Sequence, residues 1–446
     1  MEIGEIENKE RLDLKSQHGT SSVINKAMNQ ITIPAFKKYS AYKDSGVEWL
    51  GEIPEHWEAI KFKHIFQEKK KVSNPLLNCG AISFGKVVYK DDDKIPETTK
   101  ASYQEVLEGE FLINPLNLNY DLISLRIGLS EINVVVSSGY IVLKNIINID
   151  KTYFNYLLHR YDVAYMKLLG SGVRQTINFN HIANSILAFP PLLEQTAIAT
   201  FLDNKSAKID HVVAQKEKMI ALLKERKQII IQDLVTGKKV WNDALNSWTE
   251  PDEVKDSGVE WIGEIPAHWV VRRFKLLCNI STGSKNTEDK KENGEFPFFV
   301  RSQNVERIDT YTFEGEAILT AGDGAGVGKV FHYVNERFDF HQRVYKFSNF
   351  KSINGKYLFF YLQSNFYNVA LNGEAKSTVD SLRLRLIQDF LVSFPSLKEQ
   401  TSIVNYIESQ SAKIDKAIAL QEQQIEKLKE LKYTLINSAV TGKIKV

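Results

Sequence analysis

One stretch of the chain occurs twice. Lys43-Asp44-Ser45-Gly46-Val47-Glu48-Trp49-Leu50-Gly51-Glu52-Ile53-Pro54-Glu55-His56-Trp57 returns from Lys255 to Trp269, with Leu50 replaced by Ile262 and Glu55 by Ala267. A return this close is not chance. It makes the chain two copies of one plan, and an internal repeat bounds the fold before any other feature does. A second set of matches follows at one common offset. Glu194-Gln195-Thr196 returns as Glu399-Gln400-Thr401, Ser206-Ala207-Lys208-Ile209-Asp210 as Ser411-Ala412-Lys413-Ile414-Asp415, and Thr236-Gly237-Lys238 as Thr441-Gly442-Lys443.

With 446 residues the chain is too long for one core and suits two or more domains. No apolar run approaches the ~20 residues of a membrane span, and the N-terminus lacks the layout of a signal peptide. Two cysteines, Cys79 and Cys278, cannot build a disulfide framework or a zinc cluster, so the expectation is a cytoplasmic, reduced protein. A net charge of +2 neither supports nor excludes nucleic acid, because a local basic face matters and not the sum.

The first forty or so residues are polar and aperiodic and read as a mobile tail. The repeated stretch reads as loop material whose Trp49, Trp57, Trp261 and Trp269 anchor the chain on its domains. His56 and His268 lack companions at metal-ligand spacing. Between the first repeat and Phe189-Pro190-Pro191, strand-like runs stand at Val87–Tyr89, Glu110–Ile113, Asn133–Val136 and Tyr140–Leu143, with a helix over Thr152–Leu169. The second copy gives strands at Phe298–Val300, Ala317–Leu319, Lys329–Phe331 and Arg343–Phe347, and a helix over Gly355–Ala370, before Phe394-Pro395. The two inserts share little sequence.

After each domain comes a block with an a/d seam. Ile209, Val213, Ile220, Leu223, Ile230 and Leu234 form the first; Ile414, Ile418, Ile425, Leu428, Leu435 and Ala439 form the second. Neither block contains proline or interior glycine, and each stops at Gly237 or Gly442, where a left-handed cap ends a helix. The spacing predicts two helices of about thirty residues, roughly 45 Å long. A narrow apolar seam must be buried, and its matching partner is the other copy. The expected fold is α+β: two globular domains separated by two long helices forming an antiparallel coiled coil, with pseudo-two-fold internal repetition.

No catalytic constellation survives inspection. Gly322-Asp323-Gly324-Ala325-Gly326-Val327-Gly328-Lys329 has Asp323 where a phosphate loop needs glycine and Val330 where it needs Ser or Thr. It reads instead as a glycine-rich hairpin after Ile318-Leu319. Asn114-Pro115-Leu116-Asn117 lacks the second proline and the aromatic of the amino-methyltransferase tetrapeptide. Asp91, Asp92 and Asp93 read as a solvated turn. What remains is polar and basic residues of the inserts. In the first they are Lys86, Asn117, Asn119, Tyr120, Arg126, Arg174, Gln175 and Asn178; in the second, Lys285, Arg301, Ser302, Gln303, Asn304, Arg307, Lys329, His341, Gln342, Arg343, Lys376 and Arg383. Arg, Lys, Asn and Gln read base edges by paired hydrogen bonds, and Lys and Arg neutralise phosphate. An ordinary wet surface has the same composition, so the clusters Arg301–Asn304 and His341–Arg343 carry more weight than any single residue.

Three pieces of text together resemble the specificity subunit of Type I restriction-modification systems. They are Asp44–Trp57 and its return, the junctions Pro190-Pro191-Leu192-Leu193-Glu194-Gln195 and Pro395-Ser396-Leu397-Lys398-Glu399-Gln400, and Gly322–Phe331 followed by Phe340-His341-Gln342-Arg343. The resemblance covers the chain from about residue 42 onward. The tail 1–41 lies outside it; the rest divides into target-recognition domains 42–190 and 254–394, helical regions 191–240 and 395–446, and a linker 241–253. The resemblance implies a non-catalytic DNA reader, each domain taking one half of a split, asymmetric site on double-stranded DNA. The helices would set the spacer and dock two methyltransferase subunits, with restriction subunits joining. No cofactor is expected in this chain, S-adenosylmethionine, ATP and Mg belonging to the partners. A coiled-coil scaffold with two protein-binding domains is the alternative, and an enzyme with an unrecognised nuclease site is a more distant one.

Overall fold

A computed structural model describes residues 36–93, 95–116, 125–169, 176–371 and 382–446. The described chain forms two compact units. One runs through Val213 and takes in Glu426–Val446; the other is Ala214–Ile425. Each unit therefore holds one domain, part of the long helix that follows it and part of the long helix from the other copy. This differs from a partition into domains and separate helical regions. The reason is packing: the seams bury against each other and against the domains, so helix and domain share one core.

In the first unit, strands β1 (Phe66–Glu68), β2 (Phe111–Ile113), β3 (Ile127–Leu129) and β4 (Ile141–Asn145) form an antiparallel sheet in the order β1-β4-β2-β3. All three residues of β2 are buried, which explains its continuous apolar text rather than an alternating one. Helix α1 (Lys151–Ala164) starts at Asp150, whose side chain accepts from the Tyr153 amide, and it buries Tyr153, Phe154, Leu157, Leu158 and Tyr161. The expected helix to Leu169 stops earlier, giving way to a 3-10 turn at Met166–Leu168. Phe36 and Tyr39 pack on this core, Phe36 edge-on to Phe201 at 5.7 Å. Residues 36–41 are thus part of the domain and not of a mobile tail, because their aromatic rings have apolar partners; residues 1–35 lie outside the described chain.

In the second unit, β5 (Asn279–Thr282), β6 (Phe296–Phe299), β7 (Glu306–Ile308), β8 (Phe313–Ala321), β9 (Phe331–Phe340) and β10 (Val344–Ser348) form a sheet in the order β5-β10-β8-β9-β6-β7. The subset β5-β10-β8-β9 repeats the strand order of the first domain, and β6 and β7 are added at one edge, β6 parallel to β9. Helix α2 (Gly355–Leu371) buries Tyr357, Leu358, Tyr361, Leu362 and Phe366. The two inserts share a skeleton that their sequences hide. Lys329-Val330, expected in a strand, belong to the loop before β9. The expected linker 241–253 holds a hairpin, Val240–Asn242 paired with Ser247–Thr249, in which Trp241 packs edge-on to Trp248 at 5.6 Å.

The long helices span Leu192–Val235 and Leu397–Val440, 44 residues each. At 1.5 Å per residue that is about 66 Å, longer than the spacing predicted, because the domain-to-helix junction is itself helical. Gly237 (φ +77°) and Gly442 (φ +72°) are the left-handed stops. Pairing is antiparallel in each unit: Lys432 meets Asp210 at 2.7 Å in the first, and Lys227 meets Asp415 at 2.7 Å in the second. The seam is not wholly apolar. Lys216, Lys227, Gln421 and Lys432 fill the a/d positions between the apolar ones. Lys216 is 4% exposed and donates to Gln421 (2.9 Å) and Gln424 (2.5 Å). Burial lowers its pKa.

The repeated texts turn out to be two sides of one joint. Trp57, wholly buried, donates its indole N–H to Glu194 at 3.0 Å, and His56 Nε2 lies 2.6 Å from the same carboxylate. Trp269 and His268 treat Glu399 alike, at 3.2 and 2.9 Å. Gln195 is wholly buried and ties the Asp150 amide to the Pro190 carbonyl; Gln400 ties Asn354 to Pro395. The far side of each joint comes from the other copy. Gly442 packs on Pro54 and Trp57, and Gly237 on Pro266 and Trp269, with no room for a Cβ. Tyr153 Oη donates to the Val440 carbonyl (3.1 Å) and Tyr357 Oη to that of Val235 (3.0 Å).

Two measurements test this account. Burial raises the Glu194 carboxyl, but hydrogen bonds from Trp57, His56 and Tyr39 outweigh it and leave the pKa below its ordinary 4.5. Glu194 therefore stabilises the fold above pH 4.5, and that contribution is lost as pH falls through the lower folded value. Glu194→Gln is expected to flatten the stability profile on the acid side of pH 4.5 in acid-denaturation curves. Lys216→Met together with Gln421→Leu removes a buried ammonium and an acceptor it uses, and is expected to be neutral or stabilising by up to about 4 kcal/mol in denaturant unfolding. A loss of stability would show that the two glutamine bonds outweigh desolvation.

Candidate nucleic-acid interface

The second domain gathers several polar candidates into one patch. The loop after β6 carries Arg301, the loop between β8 and β9 carries Asp323, and the turn between β9 and β10 carries Gln342 and Arg343. Arg301 Nη1 donates to Asp323 Oδ1 at 2.8 Å, and Arg343 Nη1 donates to Asp323 Oδ2 at 2.5 Å. Burial raises the Asp323 carboxyl, and the two arginines outweigh it, holding it below the ordinary carboxylate range. His341 is buried, which lowers its pKa, and the positive Arg301 lowers it further. The neutral ring accepts the Arg343 amide on Nδ1 at 3.0 Å. Gln342 donates to Asn286 Oδ1 (2.6 Å), its amide to the Lys285 carbonyl (2.8 Å), and the Ser302 carbonyl meets His332 Nε2 (3.0 Å).

The glycine-rich stretch builds this patch and is the connection between two paired strands, as read from the sequence. An added Cβ on Gly326 would come 2.5 Å from the Arg301 carbonyl, and one on Gly322 would come 2.9 Å from that of Arg343. Only glycine lets the loop lie against both arginine backbones. Lys329 follows and sets its ammonium 5.1 Å from the centre of the Tyr367 ring.

The remaining candidates fall elsewhere. Gln303 and Asn304 are exposed beside Ser302, whose hydroxyl donates to the Asn304 carbonyl. Arg307 spends its guanidinium on the Gly294 and Glu295 carbonyls, and Arg383 is exposed ahead of the short helix Leu384–Asp389. In the first domain Lys86 is exposed on the hairpin Gly80–Ser83/Lys86–Tyr89. Arg126 does not face solvent: it is 6% exposed, and its backbone amide and Nε both donate to Asp162. It closes the core between β3 and α1 and is withdrawn from the surface set. Asn178 has its side chain in a capping box with His181. Asn117, Asn119, Tyr120, Arg174, Gln175 and Lys376 lie outside the described residues.

Two features went unread in the sequence. Asp323 was visible only as a residue that spoils a phosphate loop, although an acid between two glycines was the available signal. Phe84 is 81% exposed at the hairpin tip with φ +47°, a conformation that bulky side chains avoid. No pattern in the sequence marks it. Among the described residues no helix is long and apolar enough to cross a membrane.

Comparison with known proteins agrees with this geometry. The family model described as "Type I restriction modification DNA specificity domain" matches residues 54–220 and again 266–430, once per copy. The Type I restriction enzyme EcoDI specificity subunit of Escherichia coli is 28% identical over 182 residues, which are 41% of this chain and 40% of that protein. The MjaVIII specificity subunit of Methanocaldococcus jannaschii is 23% identical over 427 residues, covering 88% of this chain and 94% of that one. A solved structure reported under complex assembly and conformational transition of the type I R-M system superposes with a TM-score of 0.64 at 16% identity, over 87% of this chain and 98% of that one. The likeness is one of fold. With two specificity domains on one duplicated frame, the chain belongs to the family of Type I restriction-modification DNA specificity subunits.

Proposed function

We propose that the chain reads a bipartite, asymmetric site on double-stranded DNA, one half per domain, and carries no catalysis itself. The observation that supports this best is the contrast between frame and head. The joints are the same twice, down to the partner of each Trp, His and Gln, while the surfaces mounted on them differ. Two unlike heads on one duplicated mount suit two unlike half-sites. The long helices set the spacer between the halves and dock two methyltransferase subunits, with restriction subunits completing the complex. S-adenosylmethionine, ATP and Mg act in those partners. Methyl transfer to a base inside a duplex needs the base flipped into a pocket, and that pocket belongs to the methyltransferase. The setting is the cytoplasm, where the DNA is.

Co-expression with a methyltransferase partner, followed by genome-wide mapping of methylated positions, tests this. The expected result is one two-part motif with a fixed, non-specific spacer. Absent or random methylation, or binding that ignores salt, would favour a protein-binding scaffold instead. Inserting seven residues at matched positions of both long helices keeps the seam in register. It lengthens the pair by about 10 Å, so the spacer is expected to grow by roughly three base pairs with both half-motifs unchanged.

A further inference from the structure

We propose that Arg301 and Arg343 form a guanine-reading fork in the second domain and that Asp323 is the residue that positions it. The inference rests on the DNA-reading role above and names the base chemistry of one half-site.

Asp323 is 9% exposed, and each of its oxygens is taken by one arginine. The arginine side chains are 42% and 60% exposed, so each head keeps donors facing solvent. One carboxylate thus holds two guanidinium groups side by side on loops that the glycines Gly322 and Gly326 press together.

Two roles compete for such a pair. A phosphate contact is served by positive potential, and a carboxylate about 3 Å away both cancels one charge and repels the phosphate. For that role Asp323 is a defect. A base contact is served by orientation, since a planar fork must meet two acceptors at once. For that role Asp323 is an asset, because it fixes two long side chains before DNA arrives. Guanine is the base that fits. Its major-groove edge offers two acceptors, O6 and N7, to groups that only donate, whereas adenine sets an amino donor against them. Asp323 is itself nearly buried, so the exposed arginine heads rather than its carboxylate meet a base edge.

The test maps the methylated motif for the chain with its methyltransferase partner, in wild type and in Arg301→Lys, Arg343→Lys and Asp323→Asn. Lysine keeps the charge and loses the fork, so a phosphate role leaves the motif intact. The expected result is that each lysine variant loses guanine preference at one position of one half-motif. Discrimination there should fall on the order of 10- to 100-fold, with the other half and the spacer unchanged. Asp323→Asn is expected to blur both positions at once. Because Asp323 is buried, thermal melting checks that variant for folding, and the two exposed arginines carry the decision. A motif unchanged in both lysine variants, or lost by a uniform drop across all sites, overturns the fork. A wild-type chain that directs no bipartite motif overturns the DNA-reading role itself, a separate and recognisable failure.

Discussion

The structure depends on a carboxylate in a joint. Glu194 and Glu399 each accept a buried tryptophan N–H and face a histidine, and each stands in the first turn of a long helix. That arrangement welds the chain entering a domain to the chain leaving it. The glycine that ends the other long helix packs on the same tryptophan. Three distant parts of the sequence thus meet at one point, twice. The constraint explains why Pro54, His56 and Trp57 return unchanged as Pro266, His268 and Trp269. They are shared because they form a fitting, and a fitting tolerates little change on either face.

Freed from that duty, the inserts could diverge in everything except a skeleton. Both keep a four-strand antiparallel order and a helix whose first turn donates a tyrosine hydroxyl to the opposite helix end. The second adds two strands and a glycine-rich connection. The glycines that look like a nucleotide motif serve to let three loops approach within van der Waals distance, and the polar cluster follows from that approach.

Much of the fold was legible because periodicity and repetition are properties of the sequence itself. The seam from Ile209 to Leu234, the stops at Gly237 and Gly442 and the anchoring role of Trp57 and Trp269 could all be read directly. The shared skeleton could not, because strand order depends on which runs pair and not on their composition. Nor could the polar seam positions, since Lys216 and Lys227 look like surface residues until a partner helix supplies Gln421, Gln424 and Asp415. The candidate site was half legible. Arg301 and Arg343 stood out by chemistry, but Arg126 shows why chemistry alone misleads: the same side chain, given Asp162, becomes part of a core. Asp323 was hidden because its meaning lies in two residues remote in sequence.

The centre of the helix pair has a consequence of its own. Lys216 touches Gln421, its equivalent in the other copy, 205 residues away. A residue that meets its own counterpart must find in it a complementary partner. Had duplication been exact there, two lysines would face each other where only one ammonium finds acceptors, and like charges at that distance repel strongly in a poorly hydrated site. A lysine in both copies is therefore disfavoured at this pair of positions, whereas a lysine facing a glutamine gives the one ammonium an acceptor. The two helices thus differ where these equivalent positions meet, quite apart from the divergence of the heads they carry.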